Sequence, residues 1–174
     1  MIPSLSRYVL PIALMLLALP AAHAKIERTV EKSFRVSSAG RITIETSGGD
    51  VRVKRAAETG TVRVVATQRF ATNTERGADA LSREVEFSWE QAGDDIVARA
   101  RRDGRTRGFW RSVFSKNSTA VRVDFEVWVP AEFTVSAKTS GGDVDVSDHE
   151  GAVEISTSGG DIRLGRMGGR VVAK

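Results

Sequence analysis

The chain of 174 residues contains no cysteine. That absence excludes disulfides, thiol chemistry, cysteine-ligated metal and a lipid anchor on cysteine, so an exported chain must hold itself by packing and backbone pairing. Histidine is nearly absent too: His23 lies in the leader and His149 in a polar turn "SDHEG". A histidine-rich metal site is therefore excluded. A Ser-His-Asp arrangement would have to use His149, whose repeat counterpart is Met167; that mismatch predicts an exposed turn residue rather than a base. Long hydrophobic runs are lacking except one. "VLPIALMLLAL" follows Arg7 and leads through Pro20 to Ala22-His23-Ala24, which satisfies the small-x-small cleavage pattern. The run is short of the roughly 20 residues that span a membrane. Residues 1–24 read as a signal peptide cut before Lys25, and the mature chain is expected to be soluble beyond the inner membrane, in the periplasm or at the cell surface.

What remains, 25–174, is long enough for one domain with a real core. The formal charge of +4 falls to +3 once Arg7 is removed. Helical periodicity is scarce. "TNTERGADALSREV" is the one plausible helix, capped by Thr72 or Thr74 and weakened by Gly77. Everywhere else the period is two. "RITIETSGGDVRVKRAAETGTVRVVATQR" alternates around glycine pairs, "EVEFSWEQAGDDIVARARR" reads as a hairpin turning at Gly93-Asp94-Asp95, and "TAVRVDFEVWVP" puts Val121, Val123, Phe125, Val127 and Val129 on one face before Pro130 ends it.

The segment TSGGD occurs at Thr46, Thr139 and Thr157. From Thr139 to Thr157 the alignment extends well past the motif. Val144 matches Ile162, Val146 matches Leu164, Val153 matches Val171 and Gly151 matches Gly169. Two short strands and two turns per unit predict an all-β fold: a short, parallel-stacked β-solenoid of roughly 18–20-residue coils. An irregular N-terminal β region and at most one short helix complete the expectation. Stacking would set Asp145 beside Arg163 and Asp148 beside Arg166, opposite charges on adjacent rungs. Ala173-Lys174 align with Ala137-Lys138, so the sequence stops in register. The expectation drawn is a fragment or an end covered by a partner.

TSGGD has two readings. Glycine-rich loops can cradle phosphate, but the familiar cradles place the loop before a helix, and a strand follows here each time. Calcium at Asp50, Asp143 and Asp161 is disfavoured because the nine-residue calcium repeat is not present. The favoured reading makes Gly48, Gly49, Asp50, Gly141, Gly142, Asp143, Gly159, Gly160 and Asp161 turn residues. Gly-Gly would permit positive φ there, and Ser and Asp would tie the turn to its own backbone. The repeated "TSGGDVDV" and "TSGGDIRL", after "VDFEVWVPAEFTVSAK" and behind a signal peptide, resemble the bacterial "putative adhesin" family over Val36 to Lys174. The resemblance implies an exported β-strand-repeat domain at the envelope, with no catalytic residues to transfer.

The most individual stretch is "ARARRDGRTRGFWRSVFSKNS". Seven cations against Asp103 give a local +6, so the rest of the mature domain is net acidic. Alternation from Ile96 and Ala98 puts Arg99 and Arg101 on the outer face of a strand. The candidate contact residues for an anionic surface are therefore Arg102, Arg105, Arg107, Trp110, Arg111 and Lys116, arginine attracting charge and aromatics inserting or stacking. The function expected is a non-enzymatic envelope binding or scaffolding module without catalytic residues, metal or cofactor. Its partners would be anionic envelope components or another envelope protein, with peripheral membrane contact but no nucleic acid. The alternatives are an enzyme acting on an envelope polysaccharide, and a signalling or assembly subunit pairing through its C-terminal edge.

Overall fold

The computed structural model describes residues 25–37, 39–102 and 120–174. The leader and its cleavage site lie outside them. In chain order the elements are β1 (Glu27–Arg35), β2 (Arg41–Thr46), β3 (Val51–Arg55), β4 (Thr61–Phe70), α1 (Glu75–Ser82), β5 (Val85–Ala92), β6 (Asp95–Arg102), β7 (Val121–Val129), β8 (Thr134–Thr139), β9 (Val144–Val146), β10 (Val153–Thr157), β11 (Ile162–Leu164) and β12 (Val171–Ala173). Among the described residues the fold is all-β with one short helix, in two six-stranded mixed sheets ordered β1-β4-β7-β3-β9-β11 and β12-β10-β8-β2-β6-β5.

Period-two alternation produces this directly. Ile42, Ile44, Val51, Val53, Val62, Val64, Val127, Val135, Val144, Val146, Val153 and Ile155 are all buried to within 2% of complete exclusion, and they belong to one cluster between the sheets. Burying each such side chain is worth about 1.5–3 kcal/mol. The five alternating residues of β7 point inward as expected, and Phe125 stacks on Phe87 of the other sheet with centroids 5.9 Å apart. The hairpin β5–β6 turns at Gly93-Asp94, where Gly93 takes φ 60°. Thr74 caps α1, its hydroxyl accepting from the Gly77 N–H at 3.2 Å.

The repeats stack in register. β8, β10 and β12 are parallel neighbours with Val135, Val153 and Val171 aligned, and β9 and β11 pair Val144 with Ile162. The first TSGGD unit is not set apart in an N-terminal region. β2 pairs in parallel with β6 on one side and β8 on the other, while β3 lies between β7 and β9. The β2–β3 rung is thus clasped between two rungs made much later in the chain. Among the described residues pairing is antiparallel only for β1 with β4, β4 with β7, and the β5–β6 hairpin. After Pro130 the chain crosses the clasped rung. There Phe133 is fully buried, and its ring occupies the space a Cβ on Gly40 would need.

Candidate functional site

The three TSGGD turns form a column along one edge of the stack. Thr46, Thr139 and Thr157 are aligned, as are Val51, Val144 and Ile162. Each threonine hydroxyl donates to the rung beneath: Thr46 to the Val123 carbonyl at 3.0 Å, Thr139 to Gly49 at 2.9 Å, and Thr157 to Gly142 at 3.1 Å. The same oxygens accept turn amides, from Gly48, Gly142 and Gly160. The aspartates form a second column. The Asp50 N–H donates to Asp124 Oδ1 at 2.8 Å, the Asp143 N–H to Asp50 Oδ1 at 3.1 Å, and the Asp161 N–H to Asp143 Oδ1 at 2.9 Å. Each motif therefore fastens to the adjacent rung more than to its own backbone.

The glycines divide by position. A Cβ on Gly49, Gly142 or Gly160 would run into the backbone of the rung beneath, whereas Gly48 and Gly141 have open space and Gly159 nearly so. Of these six, only Gly49 has positive φ, at 149°. The second glycine of each pair is thus required chiefly by the spacing of stacked backbones, not by the turn's handedness as the sequence suggested.

Arginines neutralise the aspartate column. Arg52 and Arg122 pair with Asp50, Arg69 with Asp124, and Arg163 with both Asp143 at 3.0 Å and Asp161 at 2.9 Å. The Asp161 N–H, followed by the Arg163 guanidinium, holds the Asp143 carboxyl below its ordinary value, while the hydrogen bond that Arg163 donates to Asp143 raises Arg163. Asp124 raises Arg69 by direct attraction. Arg163 does align with Asp145, but its side chain reaches the aspartate column instead. Asp148 accepts from the backbone N–H of Arg166 at 2.8 Å. In this arrangement the Asp50, Asp143 and Asp161 amides are already engaged with carboxylates, and the column carboxylates with arginines. Among the described residues no group of three His, Asp or Glu side chains is placed to hold a metal.

Asp124 escaped the sequence reading. Its signal was the match of Asp124-Phe125-Glu126-Val127 to Asp50-Val51-Arg52-Val53, a column aspartate without the Gly-Gly before it. His149 also departs from expectation. It is 3% exposed, aligned with Met167, and its Nε2 lies 2.6 Å from the Phe133 carbonyl. The position turns inward because the turn between β9 and β10 lays its backbone against the crossing segment.

β6 and β7 supply the rung next to Thr46: Ala100 aligns with Thr46 and Phe125 with Val51. The chain therefore leaves at Arg102 and returns before Val121 on the edge occupied by TSGGD turns in the neighbouring rungs. Arg102 ends β6, and Arg105, Arg107, Trp110, Arg111 and Lys116 lie outside the described residues. Arg99 and Arg101 are on the outer sheet face, both paired with Glu45.

No family model and no curated protein matches the chain. Among solved structures it is similar to a "putative cell adhesion protein" from Clostridium sporogenes, with 12% identity and a TM-score of 0.43 over 79% of this chain and 61% of that one. It is likewise similar to a "putative adhesin" from Bacteroides fragilis, with 10% identity and a TM-score of 0.36 over 78% and 61%, and to a "putative lipid binding protein" from Parabacteroides distasonis, with 13% identity and a TM-score of 0.30 over 83% and 66%. The chain spans about 61% of the length of the first two. Two of these three structures carry adhesion names.

Proposed function

We propose that the mature chain is a non-enzymatic binding or scaffolding module of the cell envelope. Its stacked rungs would form a short solenoid, TSGGD acting as a rung fastener, and the basic, aromatic segment after β6 would make the contact. The observation that carries this reading is the attachment of that segment. It springs from the turn edge, where its neighbours place short, fully engaged TSGGD turns, so one rung exchanges a fastener for a long cationic stretch. Arg102, Arg105, Arg107, Arg111 and Lys116 supply charge, and Trp110 an amphipathic ring. Among the described residues, no helix is long and apolar enough to cross a membrane. Carboxylate catalysis has less support, because acid and base need contrasting environments, and the column aspartates repeat one arrangement.

The test is binding of the mature chain to isolated envelope fractions over a salt series, beside a variant with Arg102, Arg105, Arg107 and Arg111 changed to Glu. Binding that weakens with salt and is lost in the variant supports the reading. Equal behaviour of the two proteins overturns it.

A further inference from the structure

Most cations on the outer face of the first sheet are spent on neighbours. Lys54 and Arg63 flank Trp128 from either side and pair with Glu126 and Glu31. The second sheet differs. Arg41 on β2, Lys138 on β8, and Arg170 and Lys174 on either side of β12 are exposed and form no ion pair among the described residues. Register brings them to one patch: Arg41 lies beside Thr134, and Lys138 beside Ser156. Because Val135, Val153 and Val171 are aligned, Arg170 falls in the Thr134 row at the far side of β10. Arg41, Arg170 and Lys174 line a groove of about 350 Å³ floored by Thr134, Ser136, Ala152 and Val172, with Glu154 exposed in its middle.

The spacing and the floor select a ligand class. From β2 to β12 is three strand steps, about 14 Å at ~4.8 Å each, too far for one small anion to bridge. A repeating anion is needed. The floor offers hydroxyls and small side chains but no aromatic ring, so nothing there stacks a base or inserts into a bilayer. Glu154 repels a polymer whose charge is continuous and accepts a hydrogen bond from a hydroxyl. We propose that this groove binds an acidic polysaccharide lying across the strands, its carboxylates on Arg41 and on Arg170 or Lys174 and a hydroxyl-bearing neutral stretch over Glu154. Arginine at both rims suits planar carboxylates. The site shares no residue with the segment after β6 and stands whether or not that segment binds anything.

The experiment uses the mature chain carrying the four-Glu change in the basic segment, so that only the groove is read. Calorimetric titration with polygalacturonate is compared with neutral dextran and with phosphatidylglycerol vesicles, between about 50 and about 300 mM salt. Polygalacturonate is expected to bind, to weaken with salt, and to lose at least about tenfold in affinity on adding Arg41→Glu, Arg170→Glu and Lys174→Glu. The three side chains are exposed and form no ion pair among the described residues, so the thermal midpoint should hold, and the Gln versions carry the same test if it does not. Failure to bind, binding untouched by the groove changes, equal binding of dextran, or binding of vesicles in place of polygalacturonate each overturns the proposal.

Discussion

Gly142→Ala and Gly141→Ala differ by one position and should differ by several kcal/mol. A Cβ at 142 would overlap the Gly49 carbonyl and stand 2.8 Å from the Asp50 nitrogen, all of it backbone that cannot swing aside. Overpacking of this kind costs about 1–3 kcal/mol. Relief requires the two rungs to part, which lengthens the Thr139 hydroxyl bond to Gly49 and the Asp143 amide bond to Asp50, currently 2.9 and 3.1 Å. Each is worth about 0.5–1.5 kcal/mol, so the expected loss for Gly142→Ala is about 3 kcal/mol. For a domain of this size that lowers the thermal midpoint by about 6–12 °C. At 141 a Cβ meets nothing within 4 Å and φ is not positive. There alanine should be neutral or stabilising by up to about 1 kcal/mol, through the unfolded chain. Urea unfolding of both variants, with the slope checked for constancy, is the assay. Equal destabilisation by the two would refute the spacing argument, and harm from Gly141→Ala alone would return the explanation to backbone handedness.

Three further outcomes are expected. Asp50→Ala should cost about 2 kcal/mol in urea unfolding, since the Asp143 N–H loses a charged acceptor, while Asp50→Asn, which keeps an oxygen in place, should cost clearly less. Asp143 has its folded pKa depressed by the Asp161 amide and Arg163. Its contribution is therefore present above the unfolded value near ~3.9 and is lost as pH falls through the lower folded value; the urea midpoint from neutral to strongly acid pH should fall less steeply in Asp143→Asn than in the parent. His149→Ala should destabilise by about 2 kcal/mol, from lost packing and an unmet Phe133 carbonyl, and His149→Gln, which can still donate, should recover part of that in thermal melts.

The features legible in the sequence are those that repeat locally. Alternation of Ile42 with Ile44 and of Val121 through Val129 announced strands and their buried faces, and the 18-residue spacing of Thr139 and Thr157 announced parallel neighbours in register. The cap was legible to within two candidates, Thr72 and Thr74, because capping is decided within three residues, and the structure selects Thr74. What escaped was decided by which rung lies next to which. Nothing near Thr46 says that its neighbour is Thr139, and nothing near Asp124 says that it will receive the Asp50 amide. The reason for the second glycine lay in a backbone that arrives from another rung. His149 looked polar and local, and was drawn inward by a segment 16 residues away. The candidate contact residues were read from charge and aromatic content alone; the fold adds the edge from which their segment departs.

The clasped β2–β3 rung sets the order in which this chain can become a protein. Asp50 and Asp143, joined across adjacent rungs, are 93 residues apart, and both neighbours of the first TSGGD unit are translated after it. Until β6–β9 have appeared, that unit is a pair of unsheltered strands with both edges open. Closing such long loops before any reward is collected slows folding, into the range of milliseconds to seconds for sheet proteins rich in distant pairings. A chain threaded through a membrane from its N-terminus would thus stay pliable during transit and condense only when its second half follows. The same delay leaves a window in which two newly arrived chains could exchange the early rung, so refolding yield should fall as protein concentration rises.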